Sequence, residues 1–131
     1  MELAGSLKGQ IDERIFPESQ NKDWNSDFYG PLYIPKKGDK ITLTDQNIRM
    51  YLTCIESENN AVEHADSTLQ IDGKTINTYE FKQNYYFMMG DNRHNSYNSR
   101  YWGFLPEQLV IGKAMYLYWG KTMERIGKKV I

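Results

Sequence analysis

The chain has 131 residues, 40% hydrophobic and 25% charged, which suits a single globular domain with a substantial core. A net charge of −1 gives no electrostatic footprint for a nucleic-acid partner. The single Cys54 excludes an internal disulfide and carries no metal signature, and no run approaches the roughly 18 apolar residues of a membrane span.

In chain order, residues 1–28 are polar and aperiodic, with no secretory leader pattern at their start. Ser6-Leu7-Lys8 sets a serine near a lysine without supporting context and reads as a solvated terminal segment. Asp23 to Asp27 is a predicted turn, with Trp24 as a packing anchor. Pro31 and Pro35 bracket Leu32-Tyr33-Ile34, a predicted edge strand. Lys36 to Asp39 reads as a turn and Lys40 to Leu43 as an alternating strand. Thr44 is the predicted N-cap of a helix running through about residue 57, with Asp45 in its first turn. Its apolar face is Ile48, Met50, Tyr51, Leu52 and Ile55, and Cys54 is a small core residue in the same stretch.

Glu56 to Ser67 reads as an acidic, loose segment, with His64 as a solvated loop residue. Thr68 to Ile71, Asp72-Gly73 and Lys74 to Asn77 predict a hairpin, because Asp-Gly suits the positive φ angles of a two-residue turn. Tyr85 to Met89 is a predicted strand, Pro106 to Leu109 a turn, and Val110 to Trp119 is apolar enough for a central strand. The basic tail from Lys121 to Lys129 predicts a solvated terminal helix with Met123, Ile126 and Val130 on one face. The fold class is mainly β with one short helix, in keeping with 14% aromatic residues.

Between the Tyr85–Met89 strand and the turn at Pro106 lies Gly90-Asp91-Asn92-Arg93-His94-Asn95-Ser96-Tyr97-Asn98-Ser99-Arg100-Tyr101-Trp102-Gly103. A plain surface turn does not need this density of small, polar and charged groups, whereas a loop beside an active site does. The segment resembles the last conserved box of bacterial type I signal peptidases, Gly-Asp-Asn-Arg-x-Asn-Ser-x-Asp-Ser-Arg, followed by an aromatic residue and a glycine. It matches every fixed position except Asn98, where that family has Asp. Gly112-Lys113-Ala114 also resembles a tripeptide of the family's last core strand, and Tyr29 to Asp39 resembles the inserted segment of Bacteroides-type members.

The resemblance implies a signal-peptidase-like β fold in four parts: an N-terminal segment (1–15), an inserted β-subdomain with the short helix (16–80), the last two strands and last box of the catalytic core (81–119), and the basic tail (120–131). It also implies a serine endopeptidase with a Ser/Lys dyad that removes signal peptides from exported preproteins. That enzyme works on the outer, periplasmic face of the cytoplasmic membrane, held by an N-terminal anchor. The Ser-Met-x-Pro and Lys-Arg boxes that carry the dyad have no counterpart in this sequence. The expectation is a C-terminal portion of such an enzyme, inactive alone, with signal peptides as partners, a membrane surface reached through the parent protein, and no cofactor or metal.

A lysine base must be neutral, so it must be desolvated, and its buried amine still needs hydrogen-bond partners. In the family the box serine accepts from that amine, which maps to Ser96 as the orienting hydroxyl. Gly90 permits a turn where a Cβ would crowd the dyad. Asp91 resembles the carboxylate that pairs with the arginine beside the catalytic lysine. Asn92 and Asn95 are expected to tie the loop backbone through their side chains, and Arg93 and Ser99 to serve as scaffold. Arg100 resembles an arginine paired with the aspartate two positions earlier; with Asn98 there, the pair becomes a charge–amide hydrogen bond. His94 falls at a variable position and reads as a surface residue. Two rivals stand beside this reading: a non-catalytic paralogue serving as a binding or assembly module, favoured by Asn98, and an unrelated β-rich binding domain.

Overall fold

The computed structural model describes residues 7–17, 23–65, 68–116, 118, 124 and 126–130. Seven short strands and two helices follow in the order β1 (Lys40–Thr42), α1 (Asp45–Glu58), β2 (Val62–Ala65), β3 (Thr68–Ile71), β4 (Lys74–Ile76), β5 (Thr78–Glu80), β6 (Tyr85–Tyr86), α2 (Ser99–Trp102) and β7 (Leu105–Pro106). All pairings are antiparallel: β1 with β5, β2–β3–β4 as a meander, and β6 with β7. The mainly β class with one longer helix is as the sequence predicts.

Local chemistry explains the elements that match. Thr44 and Asn47 form a reciprocal capping box: the Thr44 hydroxyl accepts from Asn47 N, and Asn47 Oδ1 accepts from Thr44 N at 2.8 Å. Ile48, Met50, Tyr51, Cys54 and Ile55 of α1 are buried, and burial pushes the Cys54 thiol up to about 12, so it stays neutral. The β3–β4 turn has Asp72 at φ 51° and Gly73 at φ 73°, the left-handed pair a two-residue hairpin demands.

Glu58 ends α1, where a carboxylate opposes the helix dipole. Four donors offset this: the Tyr79 hydroxyl at 2.6 Å, the Tyr85 hydroxyl at 2.8 Å, and the Lys82 and Gln83 N–H groups at 2.9 and 3.2 Å. The end of α1 is thereby fastened to the β5–β6 connection.

One core cluster joins α1 and Leu69 to Tyr79, Phe81, Tyr85 and Phe104, so it is continuous across residue 80. Phe81 packs edge-on to Tyr51, Tyr79 and Tyr85, and Tyr51 stacks on Phe104 at 5.6 Å. From Phe104 the aromatic contacts continue through Phe87 and Tyr29 to Trp24, the packing anchor expected of it.

Five expectations are corrected. Leu32 to Ile34 is not a strand: it has no ladder pairing among the described residues, and Tyr33 and Ile34 are exposed. The Glu56–Ser67 segment is not wholly loose, because Val62–Ala65 pairs with β3 and sets His64 opposite Leu69. The strand at Tyr85 to Met89 is only two residues long, since β7 offers a two-residue partner.

The predicted central strand from Val110 to Trp119 is absent where described. Residues 110–116 and 118 are exposed, with Ile111 fully so, and a single bridge joins Tyr116 to Lys129. Its composition suits a strand, but among the described residues no neighbouring strand lies beside 110–115. Residues 117 and 119, and Met123 of the tail, lie outside the described residues. The described tail residues 126–130 form a turn and that bridge, not a helix.

Two measurements check this packing. Glu58→Ala removes a charged acceptor from four donors and is expected to lower unfolding stability by about 2 kcal/mol in a urea titration. Amide exchange is expected to be fast across Ile111–Ala114 and slow at Leu69 and Ile55, the reverse of a central-strand pattern.

Candidate active site

The box leaves β6 at Phe87 to Met89 and returns through α2 to β7, so the shortest sheet of the fold frames it. Gly90 lies directly beneath Ser96. A Cβ on Gly90 would fall onto Ser96 Oγ and sit 2.7 Å from Ser96 Cβ. The glycine is thus required by close approach and not by its φ angle. Ser96 is half-buried, and among the described residues its hydroxyl has no hydrogen-bond partner.

The residues after Ser96 are the most buried of the box. Ser99 is 0% exposed: its hydroxyl accepts from Met88 N at 2.8 Å and its own N–H donates to Met88 O at 3.0 Å. This two-point tie presses the box back onto the strand end it departed from. Asn98 caps α2, its Oδ1 accepting from Arg100 N at 3.1 Å, while its Nδ2 donates to Ser96 O at 3.2 Å. Arg100 is 1% exposed. Its Nε donates to Asn98 Oδ1 at 3.0 Å, and its two terminal nitrogens donate to the backbone carbonyls of Ser26 and Arg93. The charge–amide bond expected between Asn98 and Arg100 is present, and every recorded acceptor on this buried guanidinium is a neutral oxygen.

The earlier half of the box is more open. Asp91, Asn92, Arg93 and Asn95 are exposed, and a single 3-10 turn spans Arg93–Asn95. Asn92 ties the turn through its backbone oxygen, which accepts from Asn95 N at 3.0 Å, and gives no side-chain cap. The side-chain tying expected of Asn92 and Asn95 falls to Asn98 instead, because only Asn98 is buried enough to exclude competing water. His94 is exposed but not solitary: its Nε2 lies 2.8 Å from Asp27 Oδ1.

Sequence reasoning missed Ser26, Asp27 and Phe16. Phe16 N donates to Arg100 O at 2.8 Å, and the Phe16 ring packs on Gly103, where a Cβ would sit 2.9 Å from it. Contacts made through backbone atoms or across more than 65 positions leave no periodic signal to read. Among the described residues no three His, Cys, Asp or Glu side chains converge as metal ligands, and no helix is long and apolar enough to cross a membrane.

Chemically, the site offers one accessible hydroxyl on a rigid base. Ser96 has no base within hydrogen-bond reach among the described residues, so it is not arranged as an activated nucleophile. It can accept from, or donate to, a group brought to it.

The sequence profile described as "Signal peptidase, peptidase S26" matches residues 33–119. Signal peptidase I of Buchnera aphidicola subsp. Schizaphis graminum is 39% identical over 90 residues, covering 69% of this chain and 27% of that protein. Its counterpart from Buchnera aphidicola subsp. Acyrthosiphon pisum is 34% identical over 107 residues, covering 72% and 33% respectively. Signal peptidase I of Aquifex aeolicus is 54% identical over 37 residues, covering 28% of this chain and 14% of that protein. The chain spans about a quarter to a third of the length of the first two relatives. No solved structure gives a significant match.

Two substitutions test the geometry. Gly90→Ala should destabilise by about 1–3 kcal/mol through overpacking against Ser96, read as a lower thermal midpoint. Asn98→Ala strands a buried guanidinium and should lose about 3 kcal/mol. Asn98→Asp should be far milder, since a counter-charge for Arg100 is set against a carboxylate oxygen facing Ser96 O.

Proposed function

The chain belongs to the peptidase S26 signal peptidase family, and on that premise we propose that it supplies the last catalytic box of an enzyme that removes signal peptides from exported preproteins. In this reading the enzyme is a serine endopeptidase of the Ser/Lys type, anchored in the cytoplasmic membrane and facing outward. Ser96 orients the lysine amine. The nucleophilic serine and the lysine come from polypeptide that carries the Ser-Met-x-Pro and Lys-Arg boxes.

The observation that carries this reading is the Gly90–Ser96 contact: a half-buried hydroxyl without a partner among the described residues, seated on a glycine where a Cβ would collide with it. A neutral lysine needs such an acceptor, because a buried amine without one loses about 1–3 kcal/mol. The exposed apolar run Leu109, Val110, Ile111, Met115 and Tyr116 also supports it. This run lies inside the family match and has the composition of a strand, so it suits completion of a sheet by the dyad-bearing polypeptide.

A second reading, a non-catalytic relative acting as a binding or assembly module, is favoured by Asn98, which leaves Arg100 on neutral acceptors. Kinetics separate the two. The chain alone, incubated with a preprotein bearing an Ala-x-Ala site, is expected to give no cleavage. Combined with a polypeptide carrying both dyad boxes, it is expected to cleave at that site. Ser96→Ala should then lower kcat by about tenfold to a hundredfold with little change in KM, part of the 10²–10⁴ that general-base positioning supplies. Cleavage by the chain alone defeats the division of the dyad. An unchanged kcat in Ser96→Ala defeats the role given to Ser96, and no cleavage by any combination favours the module.

A further inference from the structure

The segment before the family match contains a turn that contacts the box at two points. Asn25 is 1% exposed, and each end of its side chain is used twice. Its Oδ1 accepts from Asp27 N at 3.0 Å and Phe28 N at 2.9 Å. Its Nδ2 donates to Leu7 O at 2.9 Å and Gln10 O at 2.8 Å. A buried amide satisfied in this way fixes a turn more firmly than its backbone can. The two residues that follow it are the two that reach the box. Ser26 O accepts from the Arg100 guanidinium, and Asp27 Oδ1 lies 2.8 Å from His94 Nε2.

These two anchors bracket Ser96. His94 stands two positions before it. Asn98, two positions after it, is held by Arg100 and bonds Ser96 O directly. One side of the Ser96 loop is therefore tethered through a side-chain pair and the other through the buried guanidinium. Both tethers end on adjacent residues of one Asn25-locked turn. Phe16 reinforces the second tether, through its N–H to Arg100 O and its ring on Gly103.

We propose that the Asn25–Phe28 turn is a positioning clamp for Ser96, with Asn25 and Asp27 as positioning residues that act on the box through Arg100 and His94. The Asn25–Phe28 turn lies before residues 33–119, the part the family profile matches, and its two box partners, His94 and Arg100, lie within it. It deepens the proposed role of Ser96 by assigning what sets the direction of that hydroxyl, and it rests on that reading. Lys8 and Asp23 line a cavity of about 820 Å³ together with Asp27, and Arg93 adjoins His94 in the box.

The test reads the box within the full chain, so its outcome does not depend on whether cleavage is ever reconstituted. Amide exchange at Asn95 and the amide chemical shift of Ser96 are measured in Asp27→Ala, His94→Ala and the double variant. Asp27→Ala and His94→Ala are each expected to speed exchange at Asn95 about threefold to tenfold, the loss of one hydrogen bond to a charged group. The double variant is expected to match the singles, because both changes remove one interaction. Asp27→Asn keeps an acceptor for the imidazole N–H and should restore near wild-type exchange, and Glu13→Ala, an exposed change on the same segment, should have no effect. Asn25→Ala frees both anchors and should speed exchange at Asn95 and Ser99 alike. Unchanged exchange and an unmoved Ser96 shift in Asp27→Ala overturn the proposal, as do effects that add fully in the double variant.

Discussion

The fold of the box depends on one buried cation. Taking a guanidinium out of water is costly, and a nearby carboxylate is the usual compensation. Arg100 has the Asn98 amide oxygen and two backbone carbonyls instead, with the Tyr101 ring 5.9 Å away. Three dipoles can solvate a guanidinium only if they are held still, because a mobile carbonyl turns away at little cost. Everything near Arg100 serves that immobility. Asn98 is both acceptor and helix cap, Arg93 O belongs to the 3-10 turn, and Ser26 O belongs to the turn locked by Asn25.

The same cation links the box to the core. Arg100 O receives Phe16 N, the Phe16 ring lies across Gly103, and edge-on contact with Phe104 passes into the aromatic cluster around Tyr51 and Phe81. Phe104 touches Phe16, Tyr51 and Phe87, so a change in its size is felt in the core and at both ends of the loop. Close packing makes such a junction stiff: an interior without voids transmits displacement instead of absorbing it.

What the sequence made legible follows the range of the physics. The Thr44 cap, the α1 face and the Asp72-Gly73 hairpin rest on neighbours within a few positions, and each was readable. The box was singled out by resemblance, which named Ser96, Asn98 and Arg100 without any need for geometry, and the structure pairs the last two. The edge strand at Leu32–Ile34, the loose reading of Val62–Ala65 and the central strand at Val110–Trp119 failed for one shared reason. A strand exists only if a partner lies beside it, and composition does not report partners. His64 became a strand residue because β3 was there to pair it, while Ile111 stays exposed because, among the described residues, nothing pairs it. The Ser26 and Asp27 contacts were illegible for the same reason, since they join positions 67 and 74 apart in the chain.

The distribution of these features along the chain carries a further consequence. The two surfaces that most need a neighbour are the Ser96 hydroxyl and the apolar run around Ile111, and both lie within residues 33–119, the part shared with relatives. Several of the groups that hold the box in place, namely Phe16, Asn25, Ser26 and Asp27, lie before that part. A loop that presents one hydroxyl needs stiffness from its surroundings, because within the box only Asn98 and the Arg93 carbonyl hold Arg100 while residues 91–95 are exposed. Substitutions inside the box therefore act on both stiffness and chemistry at once. With the Asn25 turn as the proposed clamp, substitutions there would act on stiffness alone, and that separation would allow stiffness and chemistry at Ser96 to be measured independently.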